Sequence, residues 1–285
     1  MADCIVPHWR VSPRVRALIT TRAGGVSRGV YGVLRDGQRV AGGLNLGLHT
    51  GDDLHTVHEN RRRVLALAGA DAAWLEQVHG TRVVNADEVV ENDLLTADAL
   101  GPKADASVTD RTHAICAVQV ADCMPVLLCD EAGWAVGAAH AGWRGLVGGV
   151  IEHTVGAVRA LLARGAHAPG VLHAYLGASI GPRAFEVGED VRSAFIDASL
   201  AGERDATDAA FVALPSLADD VASVRHDGQR KYLCDLGVLA RLRLARLGVR
   251  HVSGPHGCTF SDPARFYSYR RDRTTGRMAA LIWLA

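Results

Sequence analysis

The sequence predicts an α/β fold in a single domain that spans residues 1–285. Short apolar runs of strand length alternate with stretches whose apolar residues recur at helical spacing, from one end of the chain to the other. No internal repeat, low-complexity linker or abrupt change in composition divides the sequence. A chain of 285 residues is also long enough for one large core. Strands and helices interleaved in this way are typical of one α/β unit.

Two strands are predicted in the first eighty residues. Residues 15–21 are mostly apolar and lead into Arg22, and residues 73–78 form a second run that leads into His79. Between these runs, residues 29–43 are rich in glycine and arginine and are predicted to form an exposed loop. Each of the two strands therefore ends beside a side chain that can bind a ligand.

A helix is predicted between these two strands. Asp52 or Asp53 can accept hydrogen bonds from the first helical turn, and the apolar spacing continues to about Leu67. Gly69 then supplies a stop.

Three buried strands are predicted in the middle of the chain, at residues 114–120, 125–129 and 134–139. Small and β-branched residues dominate these runs, and turn residues separate them. Cys123 lies between the first two strands, and the third strand delivers His140. A thiol and an imidazole thus lie at strand ends, where chemistry is commonly placed.

The remaining third of the chain continues the alternation. Leu233, Leu236, Ala240, Leu244 and Leu247 form a helical stripe that stops at Gly248. The other predicted elements are helices over residues 146–163 and 189–198, a strand over residues 171–178, a polar loop over residues 200–208, and an interior strand in the last apolar run of the chain.

Composition excludes some classes of function. Lys and Arg number 31 and so do Asp and Glu, so a global electrostatic attraction to nucleic acid or to an anionic membrane is not indicated. No apolar run approaches the roughly 18 residues that span a membrane. The six cysteines include no Cys-x-x-Cys, and no apolar signal segment opens the chain. We therefore expect a cytoplasmic protein with free thiols, no nucleic-acid partner and no membrane partner.

His79, Cys123 and His140 are candidate metal ligands and catalytic residues. Two imidazoles and one thiolate suit Zn²⁺, and three protein ligands leave a fourth coordination position open. Copper binds the same donors and is the alternative metal. Without a metal, Cys123 activated by either histidine is a candidate nucleophile. A buried structural cysteine and satisfied core histidines remain the simplest alternative, because the three residues are far apart in sequence.

Four polar residues are candidates for binding substrate or phosphate. Arg22 and Arg144 can hold an anion such as phosphate through their forked donors, although each can equally form a structural salt bridge. Asn45 and Gln77 can read a sugar hydroxyl or the edge of a base.

Several segments, in order along nearly the whole chain, give a specific resemblance. They include Leu44-Asn45-Leu46-Gly47, Gln77-Val78-His79-Gly80, Ala104-Asp105-Ala106, Ala121-Asp122-Cys123, Ala139-His140-Ala141-Gly142-Trp143-Arg144-Gly145 and Tyr267-Ser268-Tyr269-Arg270-Arg271. On these motifs the chain resembles the YfiH, or laccase-domain, family. The resemblance implies a single domain of layered mixed β-sheets flanked by helices, an α+β variant of the predicted class.

The resemblance also implies a function. It implies a Zn²⁺ ion held by His79, Cys123 and His140, and activity on purine nucleosides with phosphate as co-substrate. The expected reactions are phosphorolysis of adenosine, inosine, guanosine and methylthioadenosine, and hydrolytic deamination of adenosine. One departure from the family pattern is an insertion between Tyr31 and Leu44, next to Asn45, which leaves the substrate preference open.

Three other functions are weighed against this one. A copper-dependent polyphenol oxidase of the laccase type is disfavoured because the sequence has no His-x-His pair. A hydrolase that uses Cys123 to edit peptidoglycan precursors is a further enzymatic alternative. A metal-stabilised interaction protein is the non-enzymatic one, but structural zinc is normally held by four protein ligands. The His-x-Glu and Pro-Cys-x-x-Cys signature of zinc nucleobase deaminases is also missing.

Overall fold

The structure is a computed structural model that describes residues 4–93, 100–167, 170–215, 230–255 and 257–285. The strands in the described residues are β1 (Val15–Ile19), β2 (Ala23–Ser27), β3 (Val33–Arg35), β4 (Gln38–Val40), β5 (Asp71–Ala73), β6 (Val83–Asn85), β7 (Ala106–Thr109), β8 (Ala114–Val120), β9 (Met124–Asp130), β10 (Val136–Ala141), β11 (Leu172–Leu176), β12 (Glu186–Gly188), β13 (Phe211–Ala213), β14 (Lys231–Cys234), β15 (His251–Ser253) and β16 (Met278–Leu284).

Helices lie between these strands along the chain. They are α1 (Leu54–Ala68), α2 (Ala86–Asp93), α3 (Trp143–Gly148), α4 (Val150–Arg164), α5 (Glu189–Asp197), α6 (Arg204–Asp208), α7 (Leu236–Arg246) and α8 (Tyr269–Asp272). Short 3₁₀ turns cover Gly29–Tyr31, Leu48–Thr50 and Ala201–Glu203. Within the described residues, no helix is both long and apolar enough to cross a membrane.

Two mixed sheets contain most of the described strands. One has the order β1-β16-β8-β5, and the other has the order β15-β11-β9-β10-β7-β6. Most neighbours are antiparallel, whereas β5 with β8, β6 with β7, and β11 with β15 are parallel. Strands β12, β14 and β13 form a smaller sheet, and β3 and β4 form a hairpin.

The two large sheets pack face to face, and helices cover their outer faces. Strand β8 shows the layering because its side chains alternate between the two sides of its sheet. Cys116 and Val118 pack into the core between the sheets, whereas Ile115 and Ala117 pack with Val64 of α1 on the outer side. The six-stranded sheet packs its other face against α4 and α7. The expected class of layered mixed sheets flanked by helices is confirmed.

Several predicted elements agree with the structure. Strands β8, β9 and β10 fall at the three central runs, although β10 begins at Val136 and reaches Ala141. Helix α1 begins after Asp53, whose carboxylate accepts a hydrogen bond from Thr56 N, and ends at Gly69 in the left-handed conformation. Helices α5 and α7 and the last strand also match their predicted segments closely.

Several predictions were wrong in detail. The helix predicted over residues 146–163 is two helices, because Gly149 adopts φ +99° between α3 and α4. Residues 200–208 form a 3₁₀ turn and α6 instead of a loop, and Leu233 belongs to β14. The segment 29–43 is not simply an exposed loop: it contains the β3–β4 hairpin, and Tyr31 and Val33 are buried.

The strand predicted over residues 73–78 stops after Ala73. Trp74 and Leu75 are buried, but their apolar character reflects burial and not strand pairing. Gln77 then takes the place of a strand residue, because its side chain donates to Gln119 O at 2.8 Å and accepts from Gln119 N at 2.7 Å. These two bonds satisfy the edge of β8 without a continuing strand.

Candidate metal centre

Cys123 and His140 are brought together by the turn into β9 and the end of β10. The register of this hairpin pairs His140 with Pro125, so His140 lies beside the residues that follow Cys123. Asp122 turns the chain between β8 and β9 at φ +99°. Its carboxylate accepts hydrogen bonds from Thr259 Oγ1 at 2.7 Å and from Arg270 N at 2.6 Å. The strained residue before Cys123 is therefore held by the C-terminal part of the chain.

His79 reaches the same place from the loop after β5. Its own φ is +59°, which is uncommon for a residue other than glycine. The three successive backbone N–H groups of Val78, His79 and Gly80 all donate to the carboxylate of Asp105, at 3.1, 2.9 and 2.7 Å. A buried carboxylate thus fixes the loop that presents His79.

The three side chains form one cluster. Their ligand atoms all lie within 4.8 Å of one another. Cys123 Sγ is 3.7 Å from His79 Nε2, and the two imidazole rings meet edge to face with centroids 4.8 Å apart. A β-carbon added at Gly142 would lie 2.8 Å from Cys123 Sγ, so this position requires glycine. His140 is buried and His79 is exposed, which leaves the cluster open on one side.

Asp105 also sets the orientation of His140. Its Oδ1 atom lies 2.8 Å from His140 Nδ1, and only Nε2 of this ring remains free for another ligand. Burial acts to raise the pKa of Asp105, but hydrogen bonds from His140 and from Gly80 N outweigh it and lower the pKa below its usual value. The carboxylate therefore stays ionised and accepts from four donors at once.

The thiol and the imidazole of the cluster change each other's pKa. Burial acts to raise the pKa of Cys123, but the charge of His140 and hydrogen bonds from His140 and His79 outweigh it and lower the pKa to about 6. Burial acts to lower the pKa of His140, but the Cys123 thiolate and Asp105 raise it to about 9. A thiolate beside an imidazolium is the charge distribution that these contacts favour near neutral pH.

The donor set fits a tetrahedral metal ion. Zinc–nitrogen bonds of about 2.0 Å and zinc–sulfur bonds of about 2.3 Å would separate neighbouring donors by about 3.5 Å. The observed separation of Cys123 Sγ and His79 Nε2, 3.7 Å, is close to that value. The Asp105–His140 hydrogen bond is the carboxylate–histidine arrangement that commonly supports a metal ligand.

The structure places Arg22 in the interior. It is fully buried, and its guanidinium lies over the ring of Tyr267 and 3.8 Å from Asp272 Oδ2. It also donates to three carbonyl oxygens, those of Gly32, Val30 and Pro263, at 2.7, 3.0 and 3.2 Å. These contacts use the donors with which Arg22 was predicted to bind phosphate.

The other three predicted substrate residues have different surroundings. Asn45 is fully buried, donates to Thr50 and Asp52, and accepts from Gly47 N and Arg277 N. Gln77 is bonded to the backbone of β8, as described above. Arg144 is exposed on α3 and its guanidinium lies over the Trp143 ring. Their roles in binding substrate stay predictions.

Two residues of the site were not singled out in the sequence. Asp105 links the loop of His79 to the ring of His140. The sequence placed it in the Ala104-Asp105-Ala106 segment of the resemblance but gave it no role. Arg277 lies beside Asn45 and close enough to Cys123 for their charges to interact. Arg277 belongs to Thr275-Gly276-Arg277-Met278, a further segment of the resemblance, but it lies 154 positions after Cys123 and the sequence did not predict that the two would approach each other.

The chain is similar to known proteins over nearly its whole length. The sequence model of the family described as multi-copper polyphenol oxidoreductase laccase matches residues 16–285. The chain belongs to this laccase-domain family. It is 43% identical to purine nucleoside phosphorylase YfiH of Escherichia coli, with all of both chains covered. It is 42% identical to a purine nucleoside phosphorylase of Pseudomonas aeruginosa, with 98% of each chain covered.

Two solved structures show the same fold. A Neisseria meningitidis protein matches with a TM-score of 0.81 and 43% identity, covering 99% of each chain. YlmD from Geobacillus stearothermophilus matches with a TM-score of 0.73 and 31% identity, covering 95% of this chain and 92% of its own. Membership of this laccase-domain family and the His-Cys-His cluster together indicate a metal-binding centre.

Proposed function

We propose that the chain is a zinc-dependent purine nucleoside phosphorylase that also deaminates adenosine. The observation that carries the proposal is the cluster of His79, Cys123 and His140, open on one side, in a chain 43% identical over its whole length to a purine nucleoside phosphorylase. The proposed substrates are adenosine, inosine, guanosine and methylthioadenosine, each with phosphate. The proposed compartment is the cytoplasm.

Zinc is the proposed metal because of the donors. His79 and His140 would supply one ring nitrogen each and Cys123 its thiolate, which leaves one coordination position for a ligand from solution. When bound, the ion supplies Lewis-acid chemistry at that position. Copper would bind the same donors more tightly, so the metal in the cell depends on availability as well as on affinity.

The residues of the chain would hold this centre in a fixed geometry. Asp105 keeps the proton of His140 on Nδ1 and directs Nε2 towards Cys123. The same carboxylate anchors the backbone on both sides of His79, so both imidazoles depend on a single buried group. Gly142 leaves the space that Cys123 Sγ occupies. Such preorganisation lets the substrate react without first rearranging the site.

Phosphorolysis exchanges one bond at the anomeric carbon of the sugar for another. A phosphate oxygen forms a bond to that carbon, the carbon–nitrogen bond to the purine breaks, and its electron pair leaves with the base. The base takes up a proton, and the products are the free purine and ribose 1-phosphate, or 5-methylthioribose 1-phosphate when the substrate is methylthioadenosine. The protein's part is to place phosphate and nucleoside in line and to favour the charge on the departing base.

A product assay tests the proposal. The zinc content of the purified protein is measured, and the protein is incubated with adenosine, with and without phosphate. Adenine formed only with phosphate establishes phosphorolysis, and inosine establishes deamination. If neither product appears while zinc is stoichiometric, the purine proposal fails. Oxidation of phenols that requires copper loading would instead favour the polyphenol oxidase.

A chelation experiment distinguishes a metal-dependent enzyme from one that uses Cys123 as a nucleophile. Chelation is predicted to abolish activity, and added zinc is predicted to restore it. Activity that survives chelation but is lost on alkylation of Cys123 would favour the Cys–His pair, and peptidoglycan precursors would then be the substrates to test.

A further inference from the structure

Arg277 lies at the end of the four-stranded sheet nearest the metal centre. The register of β16 with β8 pairs Met278 with Val120, which places Arg277, the preceding residue, beside the turn that carries Asp122 and Cys123. Its backbone is fixed on the other side, because Arg277 N donates to Asn45 Oδ1 at 2.8 Å. Two separate parts of the chain therefore determine where this side chain starts.

The guanidinium of Arg277 has unused donors. Within the described ranges it forms no ion pair, and its hydrogen bonds run from Nη1 to the carbonyl oxygens of Thr275 and Gly276, both at 3.2 Å. Nε and Nη2 make no hydrogen bond to any residue that the structure describes. Arg22, by contrast, uses Nε, Nη1 and Nη2 on carbonyl oxygens. A partly buried guanidinium with free donors is suited to bind an anion from solution.

The surroundings of Arg277 connect it to the metal centre. Burial lowers its pKa, and the charges of Cys123 and Asp122 oppose that shift. Burial lowers the pKa of His49, and the charge of Arg277 lowers it further. The backbone of Gly47 lies against the Arg277 side chain, because a β-carbon added at Gly47 would lie 2.8 Å from Arg277 Cγ. The guanidinium therefore lies within electrostatic range of the proposed zinc ligand Cys123 and beside the turn that carries it.

We propose that Arg277 binds the phosphate co-substrate beside the metal centre. This inference rests on the proposed phosphorylase function. Purine nucleosides such as adenosine carry no net charge, so phosphate is the anionic reactant that a free guanidinium would recognise. Nε and Nη2 form the fork that matches two phosphate oxygens. Held there, phosphate presents another oxygen to the anomeric carbon of a nucleoside at the open side of the cluster.

The variants Arg277→Ala and Arg277→Lys test the role of this guanidinium. Loss of two charge-assisted hydrogen bonds is expected to raise the KM for phosphate by about 30-fold or more in Arg277→Ala. Arg277→Lys keeps the positive charge but not the paired donors, so its KM for phosphate is expected to lie between those of the unaltered protein and Arg277→Ala. The KM for adenosine, the zinc content and the phosphate-independent formation of inosine are expected to change by less than about twofold. Arg62→Ala, on the exposed face of α1, is the matched control.

The result that overturns the inference is a phosphate KM in Arg277→Ala equal to that of the unaltered protein. An equal rise in the KM for phosphate and for adenosine, with zinc lost, would also overturn it, because Arg277 would then only support the fold. Recovery of zinc content and of most phosphate affinity in Arg277→Lys would contradict such a structural role and support the subsite.

A direct titration keeps this test separate from the proposed function. Inorganic phosphate is titrated into the zinc-loaded protein by calorimetry, without nucleoside. If the protein forms no adenine, the phosphorylase proposal fails, but saturable phosphate binding that is lost in Arg277→Ala still supports the subsite. Binding that is unchanged in Arg277→Ala, or the absence of phosphate binding by the unaltered protein, overturns it whatever the activity.

Discussion

Replacing Asp105 with asparagine keeps the size of the side chain but removes its charge and one of its acceptor positions. Oδ1 accepts from His79 N and lies 2.8 Å from His140 Nδ1, whereas Oδ2 accepts from Val78 N and Gly80 N. In either orientation of the amide, its NH₂ group faces two donors. Two hydrogen bonds are therefore lost whichever way the side chain turns.

The size of the effect follows from these contacts. A buried donor left without a partner costs about 1–3 kcal/mol. Because the N–H groups of Val78, His79 and Gly80 are only partly buried, loss of two of the four bonds lowers the free energy of unfolding by about 1–4 kcal/mol. That loss is a large part of the roughly 5–15 kcal/mol that stabilises a typical domain. Loss of support for a metal-ligating histidine typically weakens metal binding by about 10–100-fold. We expect both effects in Asp105→Asn.

Asp130→Asn is the matched control. Asp130 is also buried and also accepts three backbone N–H groups, those of Ala132, Trp134 and Ala135, but at the opposite end of the β9–β10 hairpin. Asparagine can keep its oxygen at the position that receives two of them, so about 1–3 kcal/mol is lost. Zinc affinity is expected to stay unchanged.

The assay combines urea unfolding with zinc competition against a chromogenic chelator. Weaker zinc binding in Asp105→Asn, with normal binding in Asp130→Asn, is the expected result. Equal zinc affinity in both variants would refute the argument that Asp105 orients the ligands, even if both proteins were destabilised.

Three further predictions concern the same centre. Cys123→Ser should lower zinc affinity by more than roughly 100-fold, the upper effect of losing a residue that only supports a metal ligand. Metal analysis and the product assay should show zinc and activity lost together. Activity retained without zinc would count against a role for the metal. In metal-free protein at pH 7, Cys123 with its pKa of about 6 should react with iodoacetamide, whereas Cys116, whose pKa burial raises to about 12, should not. The Cys123 rate should fall as the pH drops below about 6, and zinc should protect this thiol; mass spectrometry that finds both thiols labelled at similar rates would contradict the prediction. Gly142→Ala places a β-carbon 2.8 Å from Cys123 Sγ and should lower the zinc content. The control Gly156→Ala, in α4, adds a β-carbon that meets nothing within 4 Å, and it should raise the free energy of unfolding by about 0.5–1 kcal/mol. Unchanged zinc content in Gly142→Ala would show that the cluster tolerates the extra atom.

The sequence predicts the central strands well because their environment is simple. Strands β8, β9 and β10 are buried along their whole length, so each appears as an unbroken apolar run. Helix α1 is predicted equally well because Asp53 and Gly69 mark its ends chemically. Prediction fails where residues are buried without belonging to a strand. Trp74 and Leu75 are apolar and buried, but they follow β5 without continuing it.

The candidate site was also predicted only in part from the sequence. His79, Cys123 and His140 could be chosen from the sequence because each follows an apolar run, and family resemblance joined them into one set. Their meeting within 4.8 Å depends on strand register, which a single sequence does not show. Asp105 was missed because its partners, three consecutive backbone N–H groups, have no side-chain signature. Burial of Arg22 could not be foreseen either, because its partners are backbone carbonyl oxygens, such as those of Gly32 and Pro263, which have no side-chain signature.

A zinc titration of metal-free protein tests the central claim most directly. Phosphate-dependent release of adenine from adenosine is followed as zinc is added in steps. If His79, Cys123 and His140 hold the functional metal, activity rises in proportion to zinc and stops rising at about one ion per chain. Full activity in the metal-free protein, or activity that appears with copper and not with zinc, would contradict the account.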